Sequence, residues 1–284
     1  MSACLVCATP TVAAGIVRGN QAKRNFHLER CLDCGFARVT DPLENLGEIY
    51  SMDYYEGRGA DPLLDYVGEL AEPERTVRVY EWDGILQAVR GHVEVGETTR
   101  WLDFGCGNGG LVRHLAGTCE IVGWDEGEIV EVAREQGIDI VEDAELDAKG
   151  PFDVITAIEV LEHVPNPRET IERVAGLLAP GGLFFYTTGN VAPHAERLSS
   201  WNYVIPEIHV SFYEPRTLDL LLTNAGLTPV EPDFSGWPEI YRFKILKNLR
   251  RRHRNRLTDL LPARLLARFF ERRRGLAAFP PARK

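Results

Sequence analysis

The sequence predicts an α/β protein: a parallel sheet with helices on both faces, preceded by a small cysteine-bracketed module. Three observations predict it. From residue 99 to about 230, short apolar strands alternate with amphipathic helical segments. Within that stretch, Trp101–Gly110 (WLDFGCGNGG) reads as a buried strand running into a glycine loop and then a helix. Ahead of it, Cys4, Cys7, Cys31 and Cys34 form two CxxC pairs.

Taken in order, residues 1–40 read as the cysteine module and 41–95 as a helical cap or linker. In the cap, Val77, Tyr80, Ile85, Leu86 and Val89 recur on one helical face. Residues 96–240 form the α/β core. TRWLDFG, EIVGWD, IDIVED, FDVITAIEV and LFFYTTG are its five expected strands. EIVEVAREQG is a helix closed by Gly137. PRETIERVAGLLAPGG is a helix stopped at Pro180-Gly181-Gly182, and PRTLDLLLTNAGL is one stopped at Gly226. Residues 241–274 read as a basic amphipathic helical insertion or tail, and 275–284 as a last strand. Ligands of such sheets bind outside the carboxyl ends of the strands.

Composition narrows the function classes. The chain has 284 residues, 44% of them hydrophobic, enough for a real core. It has no apolar run of about 18 residues, so no membrane span is expected. Its N-terminus does not read as a signal peptide, so a cytoplasmic location is expected. The net charge of −10 hides a split. Residues 241–284 carry 15 Lys+Arg against Asp259 and Glu271, whereas 1–240 carry 17 Lys+Arg against 40 acids. An acidic body disfavours general nucleic-acid binding. The basic segment reads first as a helix packed on the core, second as a peripheral membrane contact, and third as a nucleic-acid contact.

Gly105, Gly107 and Gly110 formally satisfy GxGxxG, with Asp125 twenty residues after Gly105, which also fits a dinucleotide site. Glycines permit close backbone approach to a ligand, and the helix start that follows offers unpaired N–H groups. Asp103, two residues before the first glycine, would repel a pyrophosphate. The acids Asp139, Glu142, Asp143, Glu145 and Asp147 likewise suit a ligand with cationic groups. LDFGCGNG, VGWD, VEDAELD, FDVITAIEVLEHVPNP and LLAPGGLFFYTT follow one another at spacings that resemble the successive motifs of class I S-adenosylmethionine-dependent methyltransferases, over residues 99–230. The resemblance implies a Rossmann-like sheet. It implies that Asp103, Gly105, Cys106 and Gly107 hold the methionine end of the donor, and that Asp125 takes the ribose hydroxyls. Asp143 and Ala144 would face the adenine, and Glu159 would lie near the sulfonium. The plainer alternatives are an N-cap role for Asp125 and a solvated turn for Asp143.

Each CxxC can place two thiolates on one metal, and two pairs complete a tetrahedral Cys4 site. Zinc is the default and the site is structural, because all four positions are filled by protein. A redox dithiol is the rival reading, although it needs only one CxxC. A zinc ribbon ahead of such a core resembles bacterial methyltransferases that act on sugars and other small metabolites. The segment PEIHVSFYEPRTL resembles the HEHLSYFS-type stretch of the zinc-bearing sugar enzymes, which implies that His209 is the general base. Ile208 stands where that pattern has Glu, which puts C-methylation in doubt; transfer to oxygen is the expectation, with C-methylation as its alternative. His209 also has a packing reading, and His163 reads as a structural hydrogen-bonder. His194, Trp201 and Tyr203 are candidate walls of an acceptor pocket. The leading expectation is methyl transfer to a sugar or other small metabolite. Two alternatives stand beside it: an RNA or protein methyltransferase that docks through the ribbon and basic helices, and a non-catalytic donor-binding scaffold.

Overall fold

A computed structural model describes residues 2–44, 52–58, 65–233, 235–260, 262 and 281–284. Two sheets organise it. The first is antiparallel and joins β1 (Thr11–Arg18), β2 (Asn25–Cys31) and β3 (Ala37–Val39). Three helices follow: α1 (Met52–Tyr55), α2 (Tyr66–Ala71) and α3 (Arg78–Arg90). The core then alternates β4 (Arg100–Phe104), α4 (Gly110–Leu115), β5 (Glu120–Trp124), α5 (Ile129–Glu135), α6 (Asp143–Lys149), β6 (Phe152–Ile158), α7 (Pro167–Leu177) and β7 (Leu178–Thr187). It continues through β8 (Ser211–Phe212), α8 (Pro215–Asn224), β9 (Thr228–Pro229), α9 (Trp237–Asn248), α10 (Arg256–Asp259) and β10 (Ala282–Arg283).

The second sheet has the order β5-β4-β6-β7-β10-β9. Its first four strands are parallel, and β10 runs antiparallel between β7 and β9. Side chains alternate across it with the period of two that a strand imposes. Trp101, Val154, Leu183 and Phe185 enter one apolar layer with α3, α4, α5 and α9. Leu102, Ile155, Phe184 and Tyr186 enter the other with α6, α7 and α8. This is the Rossmann-like layering expected from the alternating pattern.

Two expectations need correction. IDIVED is not a strand: among the described residues it makes one bridge, Gly123 to Ile140. Gly137 takes a left-handed φ of 78°. Glu142 and Glu145 then close a capping box that starts α6, so too few residues remain for a ladder. The helix expected to stop at Pro180 ends at Leu177, and β7 already begins at Leu178.

The cysteine module is joined to the core by backbone pairing. β8, from the loop after β7, adds to the first sheet as its fourth strand, with Ala37 opposite Phe212 and Arg38 opposite Ser211. Arg30 of β2 reaches Glu214, the N-cap of α8, at 2.5 Å, with both side chains nearly buried. The Thr217 hydroxyl donates to the Cys34 carbonyl at 2.6 Å, and Arg168 of α7 donates to the Val6 carbonyl at 2.8 Å.

Of the basic segment, α9 buries Ile240, Tyr241, Phe243 and Leu246. It crosses α3 where Gly84 meets Gly236; a Cβ on Gly236 would lie 1.9 Å from the Gly84 carbonyl oxygen. Residues 263–280, where five further arginines and the start of the expected last strand fall, lie outside the described residues.

Candidate active site

The strand order reverses between β4 and β6, since β4 leads to β5 on one side while β6 and β7 lie on the other. Ligand crevices of open α/β sheets open at such a switch point, beyond the carboxyl ends of the strands. The glycine loop follows β4 into this crevice. Gly105, Gly107 and Gly109 have φ of 76°, 55° and 69°, which a residue with a Cβ adopts at a cost. The Gly105 and Cys106 N–H groups donate to the Trp124 carbonyl at 2.8 and 3.0 Å, which folds the loop over the end of β5. A Cβ on Gly105 would strike Val160, and one on Gly107 would come within 3.2 Å of the Tyr66 ring.

Asp125 organises the loop. One carboxylate oxygen accepts from the Gly107 N–H and the other from the Gly127 N–H, both at 2.8 Å. Each oxygen keeps lone-pair capacity for a further donor. Asp103 is 5% exposed and accepts from the Thr156 hydroxyl at 2.8 Å. Burial pushes its carboxyl up to about 7, against the pull of that bond and of Arg78. The Cys106 thiol is buried and raised well above its ordinary range, so this residue contributes backbone and packing rather than a nucleophile. The backbone of Asp139–Val141 pairs with Gly123 of β5, and Asp143 and Ala144 then open α6 with exposed side chains. Asp143 faces Arg173 at 3.8 Å.

The second half of the crevice is built from side chains of several segments. Glu159 follows β6 with a φ of 55°, a strained value for a residue with a Cβ. The Thr187 hydroxyl donates to it at 2.9 Å, Lys244 of α9 at 3.3 Å and the Tyr203 hydroxyl at 3.2 Å. Burial pushes Glu159 up, but Lys244 and the Thr187 bond outweigh it and hold the carboxyl well below the usual range. Glu162 is fully buried and accepts from the Tyr203 and Thr188 hydroxyls. Burial, and then the neighbouring Glu159 charge, push it up to about 8. His209 is 8% exposed; its Nδ1 donates to the Tyr203 carbonyl at 2.5 Å. The His163 Nδ1 donates to the Ile208 carbonyl at 3.0 Å, and the two imidazoles meet edge to face at 4.8 Å between centroids. His194, Trp201 and Tyr203 stack in series at 4.6 and 4.8 Å.

Sequence reasoning missed Arg78, Tyr66, Glu162, Thr187, Thr188 and Lys244. The Glu162 signal was present in LEHVPNP beside His163. Arg78 and Lys244 carry no local signal, because each belongs to a helix that reads as core packing.

The module's four sulfurs lie within 4.8 Å of one another, with Cys4–Cys34 at 3.6 Å and Cys7–Cys31 at 3.4 Å. These separations are far longer than a disulfide bond. They approach the ~3.8 Å edge of a tetrahedron with metal–sulfur bonds of about 2.3 Å. The four thiols therefore fit a closed tetrahedral metal site.

A protein-family model described as a methyltransferase domain matches residues 58–231, more than half of the chain. The chain belongs to this methyltransferase-domain family. Its donor class is S-adenosylmethionine, and the glycine cradle with Asp103 and Asp125 fits that group: close backbone approach, one carboxylate for a cation and one for hydroxyl donors. Among curated relatives, a ubiquinone biosynthesis O-methyltransferase of Xanthomonas euvesicatoria is 36% identical over 148 residues, which is 45% of this chain and 62% of that protein. The Shewanella pealeana protein of the same name is 34% identical over 146 residues, 44% of this chain and 62% of the relative. The chain thus spans less than two thirds of the length of these relatives. Among solved structures, the complex of the Haloferax volcanii Trm112 methyltransferase activator with its methyltransferase aligns at 21% identity. It covers 60% of this chain and 79% of that one, with a TM-score of 0.44. Among the described residues, no helix is long and apolar enough to cross a membrane.

Proposed function

We propose that this protein transfers the methyl group of S-adenosylmethionine to a hydroxyl oxygen of a small metabolite, a sugar or a similarly sized ring compound, in the cytoplasm. The observation that carries the reading is the pairing of a glycine cradle on one side of the β4/β6 switch point with a buried Glu–His–Tyr cluster on the other. The name O-methyltransferase borne by the curated relatives supports oxygen as the acceptor atom.

The donor supplies a methyl carbon activated by its sulfonium. Asp103 holds the donor's ammonium, the backbone of Gly105, Cys106 and Gly107 lies along its methionine end, and Asp125 accepts from its ribose hydroxyls. Asp143 and Ala144 border the adenine edge, and Glu159 lies toward the sulfonium. Alignment of acceptor and methyl carbon is the larger part of such catalysis, and removal of the acceptor's proton is the rest. His209 takes that proton. Its Nδ1–H is committed to the Tyr203 carbonyl, so the lone pair is on Nε2. The stacked His194, Trp201 and Tyr203 offer ring faces to a planar or sugar acceptor.

Cys4, Cys7, Cys31 and Cys34 hold a structural zinc. The metal fixes the first sheet, and that sheet fixes β8 directly after His209. The ribbon therefore positions the acceptor loop. The Arg30–Glu214 pair and the β3–β8 ladder place ribbon residues inside the fold, which supports this role over macromolecular docking.

The test is transfer of isotope-labelled methyl from S-adenosylmethionine into fractionated small-molecule, glycan, RNA and protein pools. Label in the small-molecule or glycan fraction, stable to demethylation at nitrogen, is expected. Label confined to RNA or protein would overturn the proposal.

A further inference from the structure

We propose that the cavity bounded by α2, the start of α3 and the chain from the end of α9 to His253 is an anion subsite, which takes a phosphoryl group carried by the methyl acceptor. The cavity has a volume of about 120 Å³. That is roughly four times a water molecule's share of the liquid, room for one phosphoryl group. Gly68 and Glu69 of α2, Arg78 of α3 and Lys247 of α9 line it, together with Arg250 and Arg251.

The acids of the cavity already have partners. Asp65 pairs with Arg252, and Glu72 accepts from Arg75 at 2.7 Å and meets His253 at 3.0 Å. Glu69 accepts from the Asn108 side-chain amide at 3.0 Å, and burial pushes its carboxyl up, toward the neutral form. Arg250 and Arg251, by contrast, are exposed and make no ion pair with any described residue. Two guanidinium groups beside carboxylates that are engaged elsewhere leave a positive field, and the planar fork of each matches a pair of phosphoryl oxygens.

The backbone supplies a second, independent observation. α9 ends in a bonding pattern that glycine normally closes: the Arg250 N–H donates to the Lys247 carbonyl at 2.8 Å and the Arg251 N–H to the Leu246 carbonyl at 2.9 Å. Arg250 holds the left-handed position of that turn, with a φ of 54°. A residue with a Cβ adopts this value at a cost, so glycine would suit the turn better. Strain kept at such a position points to a use for the side chain.

The cavity lies beside the acceptor half of the crevice. Lys244 and Lys247 stand about one turn apart on α9; the first donates to Glu159 at 3.3 Å and the second lines the cavity. Three residues of helix rise about 4.5 Å, a gap that one phosphorylated ring compound spans. On the other side α2 separates the cavity from the glycine loop, where the Tyr66 carbonyl accepts from Asn108 at 3.1 Å. The proposal deepens the function argued above and rests on its placing of the acceptor beside Glu159.

Inorganic phosphate is titrated into the full chain with its ribbon metal in place, with and without saturating S-adenosylmethionine, and binding is read by calorimetry. One phosphate per chain is expected in both cases, bound more tightly than acetate at the same ionic strength. Arg250→Gly removes the guanidinium and suits the turn. Its thermal unfolding is expected to stay unchanged or rise while phosphate affinity falls about tenfold. Arg251→Gln is expected to weaken phosphate likewise, with donor affinity unaltered. In the label-transfer experiment the product is expected to bind an anion exchanger and to lose that binding on phosphatase treatment. No phosphate uptake, uptake by Arg250→Gly equal to that of the unaltered protein, acetate bound as well as phosphate, or a labelled product that is neutral before phosphatase would overturn the subsite. Displacement of phosphate by S-adenosylmethionine would overturn it too, by assigning the cavity to the donor's own carboxylate. Phosphate uptake needs no turnover, so failure of the subsite and failure of the methyltransferase reading are separable.

Discussion

The two halves of the crevice are built from different materials. The donor half is mostly backbone: left-handed glycines and one aspartate that accepts from the Gly107 N–H of the loop and the Gly127 N–H after β5. The acceptor half is mostly side chains, drawn from residues 159–163, 187–188, 203–209 and from Lys244 of α9. A backbone cradle is specified within ten residues. A side-chain cluster depends on every element that carries a member, including the ribbon sheet that captures β8. Damage to the ribbon should therefore reach the acceptor half first and leave the donor half largely intact.

The largest effect is expected from the Cys31→Ser, Cys34→Ser double variant. Closed zinc sites in small modules supply on the order of 10–16 kcal/mol of folding energy. Metal analysis should find the ribbon zinc gone and turnover lost, while donor affinity by calorimetry persists. Equal loss of donor affinity would show that the halves are not separable. Next comes Glu214→Ala, which removes the close partner of Arg30 and leaves it only the exposed Glu196 at 3.9 Å. A cost of about 3–5 kcal/mol is expected in denaturant unfolding, and a cost near zero would show that the pair does not couple ribbon to core.

Asp125→Ala attacks the donor half instead. It removes two bonds from backbone N–H groups to a charged acceptor, each worth about 1.5–3 kcal/mol. Donor affinity should fall at least tenfold with the folded ribbon unaltered; unchanged affinity in calorimetry would remove the cradle assignment. A smaller effect is expected from pH. Asp103 is raised from 3.8 to about 7, so below neutrality it is protonated and offers an ammonium no charge. Donor affinity should rise as pH passes upward through about 7. Because a bound cation lowers the Asp103 pKa, binding at pH 6 should release a proton, seen as a buffer-dependent calorimetric heat. Asp103→Asn should flatten both trends, and a pH-independent affinity in the unaltered protein would contradict the assignment.

The donor half was legible in the sequence because its chemistry is local. WLDFGCGNGG and Asp125 encode strand, turn and anchor by residue type and spacing alone. The alternating strands and helices gave the layers for the same reason. IDIVED misled because a mixed apolar and acidic stretch of strand length meets Gly137 on one side and the Glu142–Glu145 capping box on the other. β8 is two residues long and exists only because β3 offers it an edge, so no periodicity announces it. Lys244 looked like one more charge in a basic segment, and only the crossing of α9 over α3 brings it to Glu159.

The most direct test of a split crevice sets Asp125→Ala beside His209→Ala, with donor affinity by calorimetry and turnover on the labelled acceptor measured for both. Asp125→Ala is predicted to lose donor affinity. His209→Ala is predicted to bind the donor as the unaltered protein does and to turn over far more slowly. Full turnover by His209→Ala, or loss of donor affinity on that substitution, would contradict the account.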